Sequence, residues 1–528
     1  MPTRSLPLFL LASASLLPIA AGAAEAPVST QWGMVSEPQM PSTICATLKA
    51  DIVSQKGSVD AYDADGRNTH PDQARIQSAI DQCKGGAVKL VAEGGKDAFL
   101  TGPLKLKSHV TLWIDKGVTL FASRDPKDYD NGPGDCGMAN TVSKKSCYPL
   151  IHADKTEAAG IVGEGAIDGR GGSLLLTGPN AGKRSWWDVA WQSKQGLIQH
   201  NPRLLQIDGG SHFTLYGTAF MNSANFHIVA DGVNGVTAWG IRILTPNQVY
   251  TVPDYACPKG TTPDKLTPAT CITPDTVKNT DGFDPGQSSE VLLAYSFIST
   301  GDDNVAIKAS ARRPAAHMTF AHNHFFYGHG MSIGSETASG DEDIHVYDLS
   351  LDGFDSPNGN GIRVKSDSSR GGKVTGVLFE DVCMRGQRAP LVFDTRYSDA
   401  KGKAYPDFAD ITLRNIHILE DVKHPQSVLV LRGWRDAERM LPVNIRFDNV
   451  VFEGRQPRLA GAPKPDQEPK PIAANVTLGP GPVSFADQLK ADEVAKVTVK
   501  DERSGKAALR DCSNAFPSFK SVIPGAPI

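Results

Sequence analysis

Val236-Thr-Ala-Trp239, Val291-Leu-Leu-Ala-Tyr295, Met318-Thr-Phe320, Ile344-His-Val-Tyr347 and Val377-Leu-Phe379 are versions of one short run, apolar or aromatic in the middle and bounded by Gly, Asn, Asp or Ser. The texture starts at Val110-Thr-Leu-Trp-Ile114 and Phe213-Thr-Leu-Tyr216. It continues through Ile411-Thr-Leu413 and Ile445-Arg-Phe447. Several runs are followed by a second one, as in Phe226-His-Ile-Val229, Val305-Ala-Ile307 and Val428-Leu-Val-Leu431. The runs have strand length, no helical period separates them, and they recur every ~20–35 residues, which is the signature of a solenoid. The reading is all-β, a single-stranded right-handed parallel β-helix in which short strands stack coil on coil. A β-sandwich would have to repeat several times over this length, and no linker divides the chain.

Outside the repeat, Asp72 to Lys84 carries a helix-period stripe of Ala74, Ile76, Ala79, Ile80 and Cys83. A helix there would cap the open N-terminal coil and hide its edge. After Gly454, Gln456 to Pro471 is rich in Pro, Lys and Gln and reads as an irregular excursion. Beyond it a helix is expected over Ala486 to Lys496 and a strand at Val497-Thr-Val499. The expected organisation is a leader over 1–23, the parallel β-helix domain over 24–454 and a C-terminal extension over 455–528 without an assigned role.

The leader has Arg4, an apolar stretch from Leu6 to Ala21 and the small-residue site Ala21-Gly22-Ala23. This is the pattern of an export signal, too short and too interrupted by Pro7 and Pro18 for a membrane span. The expected location is extracellular, with no membrane association in the mature form. The eight cysteines all follow residue 23, and an even count in an exported chain points to disulfides. Cys136/Cys147 and Cys257/Cys271 close short polar loops, leaving Cys45/Cys83 and Cys383/Cys512. No CxxC or His-rich cluster suggests zinc. The formal charge of −4 becomes −5 without Arg4, which argues against a nucleic-acid partner. An acidic chain that binds an acidic polymer needs cations concentrated in its groove. Nothing signals an oligomer, so a monomer is the default.

Four motifs fall on successive coils: Asn279-Thr-Asp281-Gly-Phe-Asp284, Gly301-Asp302-Asp303-Asn304, Gly328-His329-Gly330 and Arg363-Val364-Lys365. Singly, Gly-Asp-Asp is ordinary turn chemistry and His between glycines an ordinary turn histidine. Together, one coil apart, they fall on one face at spacings of ~4.8 Å per coil. Glycoside hydrolysis needs a proton donor for the departing oxygen and a base or nucleophile on the other side. Asp281, Asp302 and Asp303 supply the carboxylates. Their repulsion should raise at least one pKa and keep a proton available for the acid. An acidic optimum follows, which a pH–rate profile flat into strong acid would exclude. Asp302 and Asp303 are neighbours that a regular strand would send to opposite faces, so Gly301 is expected to supply a bend. His329 is expected to hydrogen-bond and tune an aspartate. Arg363 and Lys365, two apart on a strand, face outward with Val364 inward, and a guanidinium fork beside an ammonium suits a uronate carboxylate.

The motifs resemble those of glycoside hydrolase family 28, the polygalacturonases, whose pattern is Asn-Thr-Asp, Gly-Asp-Asp, Gly-His-Gly and Arg-Ile-Lys. Here Val364 replaces the Ile. Ser185-Trp-Trp187, Asn201-Pro-Arg-Leu-Leu-Gln-Ile207, Asn222-Ser-Ala-Asn-Phe-His227, Gly328 to Thr337 and Asn360 to Asp367 look like the bacterial endopolygalacturonases. The resemblance implies a substrate of polygalacturonate (pectin) and an inverting reaction with no cofactor and no metal. It implies Asp302 as general acid, Asp281 and Asp303 holding the attacking water, and His329 supporting them. Asn279, Arg363, Lys365 and Tyr397 are implied as substrate-binding. Inversion implies acid and base carboxyls ~6.5–9.5 Å apart. The stretch from Gln248 to Thr276 is a long insertion before Asp281 that could wall the cleft and favour exo action. Rival readings are a hydrolase of rhamnogalacturonan or xylogalacturonan, a pectate lyase, and a non-catalytic β-helix adhesin, which would need no trio of acids beside two cations.

Overall fold

The computed structural model describes residues 25–523 except 133, 143–146, 194–195, 260–267, 311, 355, 421–425 and 462–469. The expected leader over 1–23 lies outside the described residues. The short runs stack as parallel coils. One 11-stranded parallel sheet forms the floor of the functional face. It takes, in order, Leu104–Lys105, Ile151–Asp154, Leu205–Asp208, Ile228–Asp231, Phe283–Gly286, Val305–Ile307, Met331–Gly334, Asn360–Lys365, Ala389–Asp394, Val428–Arg432 and Arg458–Ala460. The pairing register builds one inward ladder of Ile151, Leu205, Ile228, Phe283, Val305, Met331, Ile362, Leu391 and Leu429. Every rung is fully buried. Each such side chain contributes roughly 1.5–3 kcal/mol. A one-residue slip would turn the whole set to solvent, so the register is tightly specified.

The rear is a second parallel sheet. In early coils two strands cover it, such as Ser211–Tyr216 and Ala219–Met221. From Ala315–Tyr327 onward one long strand bends across both faces, as in Asp341–Asp352 and Gly372–Arg385. The bend is made by single left-handed residues stacked coil on coil: His322, Asp348, Asp381, Asn415 and Asn449, with φ of 56°, 49°, 55°, 54° and 57°. Asn, Asp and His tolerate that conformation better than other side chains. The amide of Asn449 donates to Asn415 at 2.9 Å and that of Asn415 to Asp381 at 3.1 Å, which ties the corner together. These corners are the polar punctuation between the apolar runs of the sequence.

The cap is a helix, Gln73–Gln82, burying Ile76 and Ile80. All eight cysteines pair, as Cys45–Cys83, Cys136–Cys147, Cys257–Cys271 and Cys383–Cys512. The C-terminal region departs from the sequence reading. The rear sheet does not stop near Gly454, because Ala474–Leu478 and Val497–Asp501 pair in register beyond Val443–Phe452. No helix runs from Ala486 to Lys496. A single 3-10 turn, Ala486–Gln488, is followed by turns. Phe485 and Leu489 are buried while Val494 is exposed, so the apolar stripe ends after one turn. Asp492 then accepts from the backbone N–H of Ala495 at 2.8 Å and closes a turn. The tail folds back along the rear to Cys383.

Candidate active site

The loops that enter the floor sheet carry the acids, and the sheet itself carries the cations. Asp281 stands just before Phe283–Gly286, Asp302 and Asp303 before Val305–Ile307, and His329 before Met331–Gly334; Arg363 and Lys365 lie within Asn360–Lys365. The outward row of the floor runs Asp284, Ala306, Ser332, Arg363, with Val364 inward and fully buried.

Asp302 and Asp303 occupy a bend outside the strand, so the alternation of faces does not apply to them. Gly301 is needed for close approach: a Cβ there would lie 2.3 Å from the carbonyl oxygens of both Pro274 and Val277. The insertion before Asp281 therefore packs directly on the loop of Asp302. Gly328 and Gly330 flank His329 in the left-handed region, at φ of 64° and 74°. Cβ atoms there would collide with Asn304 and with the Gly361 carbonyl. The backbone N–H of His329 donates to the Asp302 carbonyl at 2.9 Å, and its Nδ1 faces Asp302 Oδ1 at 3.0 Å.

Asp303 is clamped. Lys365 Nζ donates to its Oδ2 at 2.7 Å, Arg363 and Ser332 donate to its Oδ1, and the Ser332 distance is 3.0 Å. Arg363 and Lys365 are 7% and 5% exposed, so these cations are buried against an acid. Tyr397, half-exposed, has its ring 5.0 Å from Lys365 Nζ and 5.8 Å from the Arg363 guanidinium carbon. Asn279, at φ 53°, accepts from Gln199 at 2.8 Å and lines a cavity of about 480 Å³. Its other walls include His152, Arg203, Gln206, Asn225 and Phe226. The sequence-derived residues thus gather on one stretch of the floor, with Asn279 on the cavity side and Tyr397 on the other.

Two groups escaped the sequence reading of roles. Asp284 is buried in the floor, and Lys308 Nζ reaches its Oδ2 at 2.6 Å and Asp281 Oδ2 at 3.2 Å. Asp284 belongs to the quoted motif, but its partner could be found only through the register that sets Lys308 beside Gly286. His227, fully buried, presents Nδ1 to the Asp281 carbonyl at 3.0 Å and Nε2 to Thr245 at 2.6 Å.

The expectation that at least one carboxyl is raised is met at Asp281 and not at Asp302. Burial pushes Asp281 well above the usual carboxylate range. Lys308 opposes this, while Asp284, Asp302 and Asp303 add to it. Asp284 is pushed up to about 6, again by burial against Lys308. Asp302 goes the other way. Its burial is outweighed by His329, then by Lys365 and Arg363, and the carboxyl is held well below its usual range. Asp303 is also held low, burial losing to Arg363 and Lys365. Among these partners His329 favours the charged form of Asp302 most strongly.

Asp302, Asp303 and His329 each offer one ligand atom within 4.8 Å of the others. Both oxygens of Asp303 already accept from Arg363, Lys365 and Ser332, so the chain's own cations occupy the position of an ion's charge.

The family model described as Glycosyl hydrolases family 28 matches residues 83–455. A polygalacturonase of Ralstonia solanacearum is 53% identical over 98% of both chains. An endo-polygalacturonase of Pectobacterium carotovorum subsp. carotovorum is 39% identical over 79% of this chain and 88% of its own. The structure of a polygalacturonase from Erwinia carotovora ssp. carotovora superposes with a TM-score of 0.63 at 34% identity, covering 90% of this chain and 97% of that one.

Proposed function

The chain belongs to glycosyl hydrolases family 28, and from that premise we propose that its cleft hydrolyses the α-1,4 bonds between galacturonate residues of pectin. It is a glycoside hydrolase, a polygalacturonase like its Ralstonia relative, and the proposal takes it as endo-acting like the Pectobacterium relative. The observation that carries the reading is the meeting of Asp281, Asp302 and Asp303 with Arg363 and Lys365 on one length of floor.

In the proposed reaction Asp302, supplied through His329, gives a proton to the glycosidic oxygen as the C1–O bond breaks. A water bonds to C1 from the opposite face and loses its proton to Asp281 or Asp303. One water is consumed, one new reducing end forms, and the anomeric configuration inverts. Arg363 and Lys365 bind a uronate carboxylate, Tyr397 packs against a sugar on their side, and Asn279 contacts the sugar chain where the 480 Å³ cavity begins. Recognition surfaces on both sides of the acids favour cutting within a chain.

Export through residues 1–23 and action outside the cell as a monomer, with no nucleic-acid partner, belong to the same proposal. The four disulfides support export, and among the described residues no helix is long and apolar enough to cross a membrane.

Viscosity and product size on polygalacturonate test the reading. Rapid viscosity loss with few new reducing ends is expected, whereas steady release of mono- or digalacturonate would refute internal cutting. Asp302→Asn should lower kcat by roughly a thousandfold while substrate binding persists. Undiminished reducing-sugar release would remove Asp302 from its role.

A further inference from the structure

Lys308 follows the strand Val305–Ile307, and its neighbours account for its ammonium completely. Nζ lies 2.6 Å from Asp284 Oδ2, 3.2 Å from Asp281 Oδ2 and 4.2 Å from the centroid of the Phe226 ring. An ammonium has three N–H donors. Two meet carboxylates and the third side of the charge meets an aromatic face, a favourable site for a cation. No donor remains to capture a sugar carboxylate. This separates Lys308 from Lys365, which spends one donor on Asp303 and lies against Tyr397.

The two acids it joins are unequal in position. Asp284 is on the floor strand at 1% exposure, and Asp281 is at the loop exit at 4%. In each, the oxygen facing Lys308 is Oδ2, and Oδ1 is buried without a protein partner. A buried carboxylate oxygen without a donor is costly. For Asp281, at the edge where the substrate lies, that oxygen is the acceptor a water O–H would use. Asp281 faces Lys308, Asp284, Asp302, Asp303 and, farther off, Arg203. Asp284 faces Lys308, Asp303 and Arg203, and Lys308 also feels Glu336. Among these neighbours Lys308 is the cation that touches Asp281.

We propose that Lys308 is a positioning residue of the hydrolysis, bridging Asp281 to Asp284 so that the Asp281 carboxylate stays aimed as the group that takes the proton of the attacking water. The inference rests on the family 28 reading of the cleft. Asp284 acts as the anchor: it fixes Lys308 from the rigid strand, and Lys308 fixes Asp281 in the loop. Phe226 closes the third side and keeps the ammonium from turning to the sugar.

The test compares wild type, Lys308→Met, Asp284→Asn and the double variant on polygalacturonate, with kcat and KM measured across pH. Lys308→Met should lower kcat about 100-fold with KM changed less than about threefold. It should also move the acid limb of the kcat profile to higher pH by about one unit, because Asp281 then lacks its cation. Adding Asp284→Asn should restore kcat about tenfold, since the unneutralised neighbour is gone. An unmoved acid limb, a loss carried by KM, or no gain in the double variant would each overturn the proposal. If Lys308→Met does not fold, Lys308→Arg replaces it. That variant should keep the wild-type acid limb at reduced kcat, and a shifted limb would count against the bridge. A wild-type enzyme that releases no reducing ends at any pH would instead strike the polygalacturonase reading itself.

Discussion

Gly301→Ala adds one methyl group at the point where two segments far apart in sequence meet. The new Cβ would lie 2.3 Å from the Pro274 and Val277 carbonyl oxygens and 2.5 Å from Val277 Cγ2. A carbon–oxygen contact settles at about 3.3 Å, so one segment must retreat by about 1 Å. The insertion segment is held on its far side: Asp275 accepts from Ser356 at 2.5 Å and from Asn358 at 3.2 Å. Trp191 donates to the Thr276 carbonyl, and Thr280 Oγ1 donates to the Val277 carbonyl at 2.9 Å. The loop of Asp302 and Asp303 is anchored as well, by His329 on Asp302 and by Arg363, Lys365 and Ser332 on Asp303, so neither segment is free to absorb the whole retreat and part of it falls on the catalytic loop. Overpacking of this kind costs roughly 1–3 kcal/mol of stability, and a displacement near 1 Å of a reacting group costs about 100-fold in rate. The expected variant is folded, melts a few degrees lower and loses about 100-fold in kcat on polygalacturonate with a smaller change in KM. The assay is reducing-end release under saturating substrate beside a thermal melt. A Gly301→Ala enzyme with wild-type kcat would show that the insertion, and not the catalytic loop, gives way, and would refute the argument.

His227 makes a pH prediction of the opposite kind. Burial lowers its pKa to about 4 from an ordinary 6.5. Between those values the unfolded chain binds a proton that the folded chain refuses, so stability falls as pH drops through the window, by about 3 kcal/mol in all. Denaturant unfolding at pH 7, 5.5 and 4 should show that loss, and His227→Gln should show less of it; equal slopes would refute the assignment. For the reaction itself, the alkaline limb of the kcat profile should lie at higher pH than that of kcat/KM, since the first reports the substrate complex and the second the free enzyme. Coincident limbs would mean that substrate leaves the proton affinity of Asp302 unchanged.

Much of this was legible because a parallel coil writes its geometry into the chain. Arg363, Val364 and Lys365 alternate across the floor as the strand period requires, and the apolar runs recur because each rung of the ladder needs its own Ile, Leu, Val or Phe. The cap helix was legible from Ile76 and Ile80 for the same reason. What stayed hidden depends on contacts between coils at uneven spacing. Lys308 ends an apolar run and looks like a solvated strand terminus; it meets Asp284, 24 residues earlier, only because a parallel bridge joins it to Gly286. Gly301 reads as a flexible bend, yet its lack of a side chain makes room for Pro274 and Val277. The last coils were obscured by the Pro-rich excursion, after which Ala474–Leu478 resumes the ladder in a short and isolated run.

On the proposed reading, the same placement accounts for how a chain of net charge −4 would hold a polyanion without a surplus of cations in its cleft. Asp281 and Asp284 are bridged by Lys308, and Asp303 by Arg363 and Lys365. The cations are therefore matched, but their donors are not exhausted. Lys365 spends one of three N–H groups on Asp303, and Arg363 spends two of its five, one on Asp303 and one on Ser332. A uronate carboxylate can join the same cations without displacing Asp303. Its arrival also changes the acid. His329, Lys365 and Arg363 hold Asp302 low in the free enzyme, and a sugar carboxylate on Lys365 and Arg363 offsets two of those three. The proton affinity of Asp302 then rises when the charged sugar is in place. A methyl-esterified sugar carries no such charge, so it would bind the cations weakly and leave Asp302 poorly protonated, losing on both counts at once.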